Sequence, residues 1–311
     1  MTMRRAGPPE GLRILKAGEG LERVKRRSTE VTLLARGGGP EVMLQTIAPG
    51  SLITLTSEAP DGFELYYIVS GSLVAPGESG QEQVIGRGQC IVVTGLEEEV
   101  NLRTETGVTM VYVSSRPVFH QVSEDLARLM ALARRIEEQD PLRRGHCERM
   151  RKLALAVGEE LHLPVGRLEV LGCAAYLHDV GLAEAPLEVL VKPERYDERD
   201  WECIRQHPVT GRRMLEKTYM SEAGLIIEQH HERPDGKGYP HQLTADDIVL
   251  EAAIVAVVDA FDAMTTDRPY RSRLPEQSAV EELRRGAGTQ FVPEVVEALV
   301  RALEHRAHAA V

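Results

Sequence analysis

Hydrophobic positions divide the chain into a first part with strand-like patterns and a second part with helical patterns. From about residue 41 to 118, short apolar runs alternate with glycine-rich turns, as at 64–69, 90–93 and 108–113. β-Branched and aromatic residues bounded by Gly, Pro and Ser are typical of strands, and many short strands indicate a sandwich or barrel. We therefore predict a small β-barrel or sandwich over 41–118.

The preceding residues 1–40 lack a clear periodicity. They carry nine Lys or Arg against four Asp or Glu, and three glycines stand in a row at 37–39. This composition predicts a solvated, partly disordered lead-in. Contact with an acidic partner surface is the alternative.

Residues 122–139 have the pattern of one amphipathic helix. Ser123 can cap its start, and acidic residues follow where they suit the helix dipole. Apolar residues recur at i, i+3, i+4 spacing, namely Leu126, Leu129, Met130, Ala133 and Ile136. The stripe can pack on the chain's own core, or it can pair with a second subunit and make a homodimer. Residues 140–311 then predict one helix after another.

Composition excludes several classes of protein. The chain has 311 residues and a formal net charge of −11, so a general DNA-binding role is not expected. No apolar run approaches the roughly 20 residues of a membrane span, and no signal peptide is recognisable, which predicts a cytoplasmic protein. The four cysteines form no CxxC pair, so reduced thiols are expected rather than structural zinc.

Ionisable residues repeatedly end or interrupt apolar segments in the second part. Burying such a residue is costly unless it has a partner. The residues concerned are His178, Asp179, His207, His230, His231 and Asp259. Each histidine taken alone could be an ordinary core or surface residue. Neutral imidazoles and carboxylates are good ligands for first-row metals, however, and an aspartate can bridge two ions. The set as a whole therefore predicts a divalent metal cluster.

Four motifs resemble the HD-GYP family of HD phosphohydrolases. His178-Asp179 resembles the defining HD pair, and HHERPDGKGYP at 230–240 resembles the HHExxDGxGYP signature. The segment 259–271 is similar to the closing DxFDAxTxxRPY element. His146, within GHCERM, resembles the opening GHSxRV of that family.

The resemblance implies an all-α HD-type helical domain over 140–311 that hydrolyses cyclic di-GMP to linear pGpG, and in some members onward to GMP. It implies two divalent ions, usually iron or manganese, ligated by His178, Asp179, His207, His230, His231 and Asp259. Asp179 is the bridging ligand and, with Asp262, an expected catalytic residue. Expected substrate contacts are Arg268, Arg271, Lys192 and Tyr239.

Two positions depart from the family pattern. Leu182 replaces a lysine that is thought to reach the scissile phosphate, so activity is expected to be low, with Lys192 or Arg268 compensating in part. Leu142 replaces a glutamate of the trinuclear members, which predicts two metals and leaves ligation by His146 open. A cyclic di-GMP receptor without turnover, docking of a GGDEF-type cyclase through the loop around Tyr239, and hydrolysis of another cyclic dinucleotide remain alternatives.

The β-rich part is similar to cupin barrels over about 75 residues. Residues 62–73 look like a first cupin motif, and the turn at 86–90 falls where a second would lie. Residues 1–119 contain no histidine, so the ligands of metal-binding cupins are missing. The resemblance therefore implies a ligand-sensing or dimerising barrel that regulates the helical part, not an enzymatic cupin.

Overall fold

The chain divides into a β unit, Met1–Ser123, and an α unit, Glu124–Val311. A computed structural model describes residues 13–56, 62–77, 81–96, 98–139, 144–190, 192, 196–267 and 273–309. Within these residues, no helix has the length and apolar character that crossing a membrane requires.

The β unit is a curled antiparallel sheet. Its strands are β1 Glu22–Lys25, β2 Thr29–Arg36, β3 Glu41–Ile47, β4 Leu52–Leu55, β5 Phe63–Pro76, β6 Glu82–Gly86, β7 Cys90–Thr94, β8 Val100–Arg103 and β9 Val108–Ser114. The strand order is β1-β2-β3-β9-β5-β8-β4, with β6 and β7 also paired to β5. The prediction of a β-rich fold with strands at 64–69, 90–93 and 108–113 is confirmed.

Strand β5 holds the two parts of the sheet together. Its first half pairs with β7 and its second half with β6, while β9 runs alongside with a register shift between Ile68 and Ser70. Directly after the shift, Gly71 has a φ of +77°, and a Cβ there would collide with the carbonyl oxygen of Gly107. Only glycine fits this bend, because it tolerates positive φ and leaves room for the neighbouring backbone.

The prediction of a disordered lead-in over 1–40 is wrong for residues 22–36. They form β1 and β2, which pair with each other in antiparallel register. In β1 the exposed Arg23 and Lys25 flank the buried Val24, whereas β2 buries the consecutive residues Val31, Thr32 and Leu33. The charged residues of β1 and of the turn that follows it therefore concealed two short buried segments. Residues 1–12 lie outside the described part.

The α unit consists of helices around an aliphatic core. They are α1 Glu124–Gln139, α2 His146–Glu160, α3 Val165–Leu177, α4 Leu187–Leu190, α5 Glu198–Ile204, α6 His207–Leu215, α7 Ser221–Gln229, α8 Leu250–Thr265, α9 Glu276–Gly286 and α10 Pro293–Ala309. A 3-10 turn, Val180–Glu184, follows α3. Helices α3, α7 and α8 are apolar on most sides, which places them at the centre of the unit.

The apolar stripe of α1 is buried. Leu126, Leu129, Ala133 and Ile136 are all buried, and α1 packs against α2, α3 and the 3-10 turn after α3. This is the first of the two alternatives for the stripe. Pairing of α1 with a second subunit remains a prediction.

We expect Gly71→Ala to destabilise the β unit more than Gly88→Ala. Both glycines have a positive φ, but a Cβ at Gly88 meets nothing within 4 Å. Gly88→Ala should therefore cost only the left-handed backbone penalty, about 1–2 kcal/mol, and Gly71→Ala should add a backbone collision. Urea denaturation of both variants, followed by far-ultraviolet circular dichroism, measures the difference. Equal losses of stability would contradict the tight bend in β5.

Candidate metal centre

Three histidines have their rings fixed by the same kind of backbone contact. The Nδ1 atoms of His178, His207 and His230 lie 2.9, 2.8 and 2.6 Å from the carbonyl oxygen three residues earlier. A carbonyl oxygen only accepts hydrogen bonds, so Nδ1 carries the proton and donates it. All three side chains are buried. When neutral, each ring therefore offers the lone pair of its Nε2 atom as a metal ligand.

A fourth histidine is oriented by a carboxylate instead. His146 begins α2, and its Nδ1 lies 2.8 Å from Oδ2 of Asp262. Arg149, one turn further along α2, donates its Nε and Nη2 to the two oxygens of the same carboxylate at 2.6 and 3.0 Å. Burial alone would raise the pKa of Asp262, but the hydrogen bonds from His146 and Arg149 outweigh it and lower the pKa to about 2. The ionised carboxylate turns Nε2 of His146 toward the other histidines, as in carboxylate–histidine–metal triads.

The Nε2 atoms converge in two groups. Those of His146 and His178 are 3.3 Å apart, and those of His207 and His230 are also 3.3 Å apart. His231 belongs to the second group, whose three donor atoms all lie within 4.8 Å of one another. Zinc–nitrogen bonds are about 2.0–2.1 Å, so two imidazoles on one cation have donor atoms about 3 Å apart. The spacing in each group fits ligands that share one cation.

Asp179 lies between the two groups. Its Oδ2 is 3.5 Å from Nε2 of His178, and its Oδ1 is 3.3 Å from Nε2 of His207. Asp259 joins the first group, with Oδ1 3.8 Å from His146 and 3.9 Å from His178. One oxygen of Asp179 thus faces each group, as bridging of two ions requires. Five imidazoles and two carboxylates form a donor set that suits first-row divalent metals.

The electrostatics of the centre favour a bound cation. Burial and the neighbouring imidazoles lower the pKa of His230 well below its usual value, and the same causes lower the pKa of His231 to about 4. Both rings are therefore neutral at pH 7, which is the form that ligates metals. A divalent cation among these rings would also be attracted by the nearby carboxylates of Asp179 and Asp259.

The loop after α7 covers the second group. The Tyr239 ring stacks on His231, with centroids 4.7 Å apart and planes 27° apart. A Cβ at Gly238 would lie 2.5 Å from the backbone of Glu232 and 2.6 Å from the His231 carbonyl oxygen, so the loop packs backbone to backbone here. The buried Glu232 carboxylate accepts the N–H groups of His241 and Leu243 at 2.6 and 2.9 Å. Burial, then the charges of the two ligand aspartates, raise the pKa of Tyr239, so its hydroxyl stays protonated.

Gly181, after the HD pair, sets the distance between the first and second groups. A Cβ at Gly181 would collide with the carbonyl oxygen of His207 and approach the amide nitrogen of Gly211. The 3-10 turn therefore packs directly on α6. This close approach of two backbones brings Asp179 beside His207.

The remaining predicted residues have different surroundings. The Lys192 ammonium pairs with Asp200, and also lies 3.6 Å from Asp197. It would have to leave this pair to reach a phosphate, and its contact with substrate stays a prediction. Leu182 is 5% exposed, so the position of the missing lysine is part of the core. Arg268, Arg271 and Leu142 lie outside the described residues.

One expectation about local structure needs correction, and one residue of the centre was missed. Asp259 does not end an apolar helix but lies in the middle of α8, one turn before Asp262 on the same face. The helix continues because Ala and Val occupy its core side and the aspartates face the histidines. Arg149 was not singled out in the sequence, although its spacing of three residues from His146 was a usable signal.

Three curated proteins that the chain resembles are named cyclic dinucleotide phosphodiesterases. The chain is 36% identical over 207 residues to a cyclic di-GMP phosphodiesterase response regulator of Xanthomonas campestris, covering 66% of this chain and 54% of that protein. It is 34% identical over 168 residues to a cyclic di-GMP phosphodiesterase of Thermotoga maritima, covering 53% and 46%. It is 30% identical over 202 residues to a 3'3'-cGAMP-specific phosphodiesterase of Vibrio cholerae, covering 64% and 38%. The chain thus spans about half the length, or less, of these curated relatives.

Among solved structures, the Cupin_2 domain of a transcriptional regulator from Enterobacter cloacae is similar over 30% of this chain, with 18% identity and a TM-score of 0.26.

A match to a family model assigns the chain to a family. The model described as the HD domain matches residues 130–295, which is more than half of the chain and most of the α unit. His178 and Asp179, the pair that resembles the family's defining residues, both belong to the first donor group. The chain therefore belongs to the HD domain family.

Proposed function

We propose that this chain is a metal-dependent phosphodiesterase that hydrolyses cyclic di-GMP to linear pGpG, under the influence of its β unit. One observation carries the proposal: the two oxygens of Asp179 face two separate sets of imidazole donors. That arrangement suits two divalent ions, of which iron and manganese are expected from the resemblance. The names of the relatives support a cyclic dinucleotide as the substrate class.

The candidate ligands form one set for each of two ions. Asp179, with His146, His178 and Asp259, would hold one ion, and Asp179, with His207, His230 and His231, the other. Two ions held by these residues would supply positive charge for the phosphate and would activate a water for attack on phosphorus. Without cations, the charges of Asp179 and Asp259 would repel an anionic phosphodiester. Tyr239, which stacks on His231, would donate its hydroxyl proton to a substrate oxygen.

Asp262 acts in this proposal as a positioning residue. Both of its oxygens accept hydrogen bonds from His146 and Arg149. It therefore fixes one ligand, and the earlier assignment of a direct catalytic role is replaced by this one. His146 becomes a ligand of the first ion.

A receptor that binds a cyclic dinucleotide without turnover is the second candidate. The observation that favours it is Leu182, because a buried leucine stands where the family's lysine is expected and adds no positive charge. Hydrolysis of 3'3'-cGAMP is a further possibility for the same centre. The homodimer through residues 122–139 and the cyclase contact through the Tyr239 loop stay proposals that this centre does not require.

We expect Asp179→Asn to abolish turnover and to release metal, because the bridging carboxylate loses its charge. The protein should be purified under low oxygen and analysed for iron and manganese. Product formation is then followed with cyclic di-GMP and, separately, with 3'3'-cGAMP. Wild type should contain about two ions per chain and produce linear dinucleotide. Asp246→Asn is the matched control, since Asp246 is exposed and lies outside both donor groups.

The outcomes separate the candidates. Metal and tight cyclic dinucleotide binding without product would favour the receptor. Faster turnover of 3'3'-cGAMP than of cyclic di-GMP would identify the mixed dinucleotide as the substrate. Full activity in Asp179→Asn would show that the catalytic centre lies elsewhere.

We expect Leu182→Lys to raise turnover, because it restores an ammonium group that can stabilise charge on the phosphate. Leu182→Met is the control, since it preserves the apolar character and approximate volume of the side chain. Initial rates and melting temperatures of both variants should be compared with wild type. An unchanged rate in a Leu182→Lys protein that remains folded would mean that the missing charge is irrelevant.

We expect Asp262→Asn to weaken metal binding by about 10–100-fold, the usual effect of losing a partner of a ligating histidine. The amide keeps the size of the side chain but no longer holds Arg149 and His146 by charge. Metal titration, followed by calorimetry, should show weaker binding of one ion and unchanged binding of the other. Equal weakening of both ions, or of neither, would argue against the positioning role.

A further inference from the structure

The β unit contains a partly open cavity that has no role in the proposed metal centre. Its volume is about 330 Å³, near the lower end of the range for small-molecule sites. Strands β2, β3, β4, β5, β7 and β9 and the segment after β9 contribute to its walls. The lining combines apolar side chains such as Val31 and Met43 with a small number of polar groups. A site of this size suits a molecule about as large as an amino acid.

Glu64 is the acidic residue of this cavity. Its Oε2 accepts a hydrogen bond from the Tyr66 hydroxyl at 2.6 Å, and its Oε1 accepts one from the Tyr112 hydroxyl at 2.8 Å. The two phenol rings stack, with centroids 4.5 Å apart and planes within 2° of parallel. Burial and the neighbouring carboxylate raise the pKa of both phenols, so they remain donors at neutral pH. The carboxylate is thus held in one orientation by a donor on each oxygen.

The charge of Glu64 lacks a cationic partner. Among the described residues, no lysine, arginine or histidine forms an ion pair with it, and its two recorded hydrogen bonds come from neutral phenols. A carboxylate has about four lone-pair positions, so two remain for further donors. A half-buried charge without a counter-charge is costly. A cationic ligand would remove this cost.

The lining indicates an organic cation rather than a metal ion. Residues 1–119 contain no histidine. Among the described residues that line the cavity, Glu64 is the one that carries a carboxylate. A single carboxylate is too few ligands for a divalent metal. By contrast, an ammonium group offers N–H donors to a carboxylate and is also attracted by aromatic rings.

Arg116 adds a second charge at the edge of the cavity. It lines the same space, its side chain is exposed, and its guanidinium forms no ion pair within the described part of the chain. A guanidinium binds carboxylates through two parallel hydrogen bonds. The cavity therefore offers an acceptor for an ammonium group and a donor for a carboxylate.

We propose that this cavity binds a small organic molecule with a protonated amine, whose N–H groups donate to Glu64 beside the stacked pair of Tyr66 and Tyr112. The ligand is either a simple amine or an amino acid whose carboxylate contacts Arg116. This inference is independent of the proposed hydrolase activity.

Three probes with the same four-carbon chain test the proposal: n-butylamine, γ-aminobutyrate and butyrate. Binding to the full chain should be measured by saturation-transfer nuclear magnetic resonance and by titration calorimetry. We expect n-butylamine, γ-aminobutyrate or both to bind. Butyrate, which has no amine, should not bind. If γ-aminobutyrate binds more tightly than n-butylamine, and Arg116→Gln removes this difference in affinity, the ligand is an amino acid. Equal affinities of the two probes identify a simple amine.

Glu64→Gln should weaken binding of the amine by at least about tenfold, because a charged acceptor becomes a neutral one. The amide can still accept from a tyrosine hydroxyl, and the melting temperature of the variant checks that the β unit remains folded. Glu98→Gln is the control, since it makes the same change at an exposed carboxylate of the same unit. Equal affinity in Glu64→Gln and wild type, binding of butyrate as tight as that of the amines, or no binding of either amine would overturn the proposal.

Discussion

The candidate metal centre depends on a hydrogen bond from the Nδ1 atom of a histidine to a backbone carbonyl oxygen three residues earlier. This contact recurs at His178, His207 and His230. In each case the carbonyl belongs to the last turn of a helix or to the residues just after it, where oxygens lack partners within the helix. One bond thus satisfies an orphan acceptor, selects the tautomer and directs Nε2 into the centre. The ends of three helices thereby become ligand-bearing positions without any special loop.

Burial of the histidines favours the neutral imidazoles that can ligate a metal. Imidazoles that are crowded and desolvated stay neutral, as the lowered pKa values of His230 and His231 indicate. A divalent cation among the rings would gain their Nε2 lone pairs and the attraction of the Asp179 and Asp259 carboxylates. Two glycines of the motifs help to bring the donor atoms together. Gly181 and Gly238 let backbones approach so closely that donors from separate helices meet.

The sequence predicted the members of the centre better than their surroundings. Apolar segments that a His or Asp ends or interrupts are unusual, so six of the residues that converge here could be proposed as ligands without a structure. The role of Asp262 could not, because its partners His146 and Arg149 come from α2, more than 100 residues away in the chain. Strands β1 and β2 were missed for a different reason. The charged residues around them outweighed the buried Val24, Val31 and Leu33 in a judgement based on composition. A strand depends on the few residues that it buries, whereas composition averages over all of its residues.

The two candidate sites of the chain differ in what surrounds their carboxylates. Asp179 lies among unprotonated imidazole nitrogens, which are lone-pair donors, so a cation placed there gains several ligands at once. Glu64 lies among phenol hydroxyls, which point their protons at it and offer a metal little. The same charged group is therefore suited to a divalent ion in one unit and to an ammonium group in the other. The number of lone pairs around a buried carboxylate, more than its own charge, decides which cation it can bind.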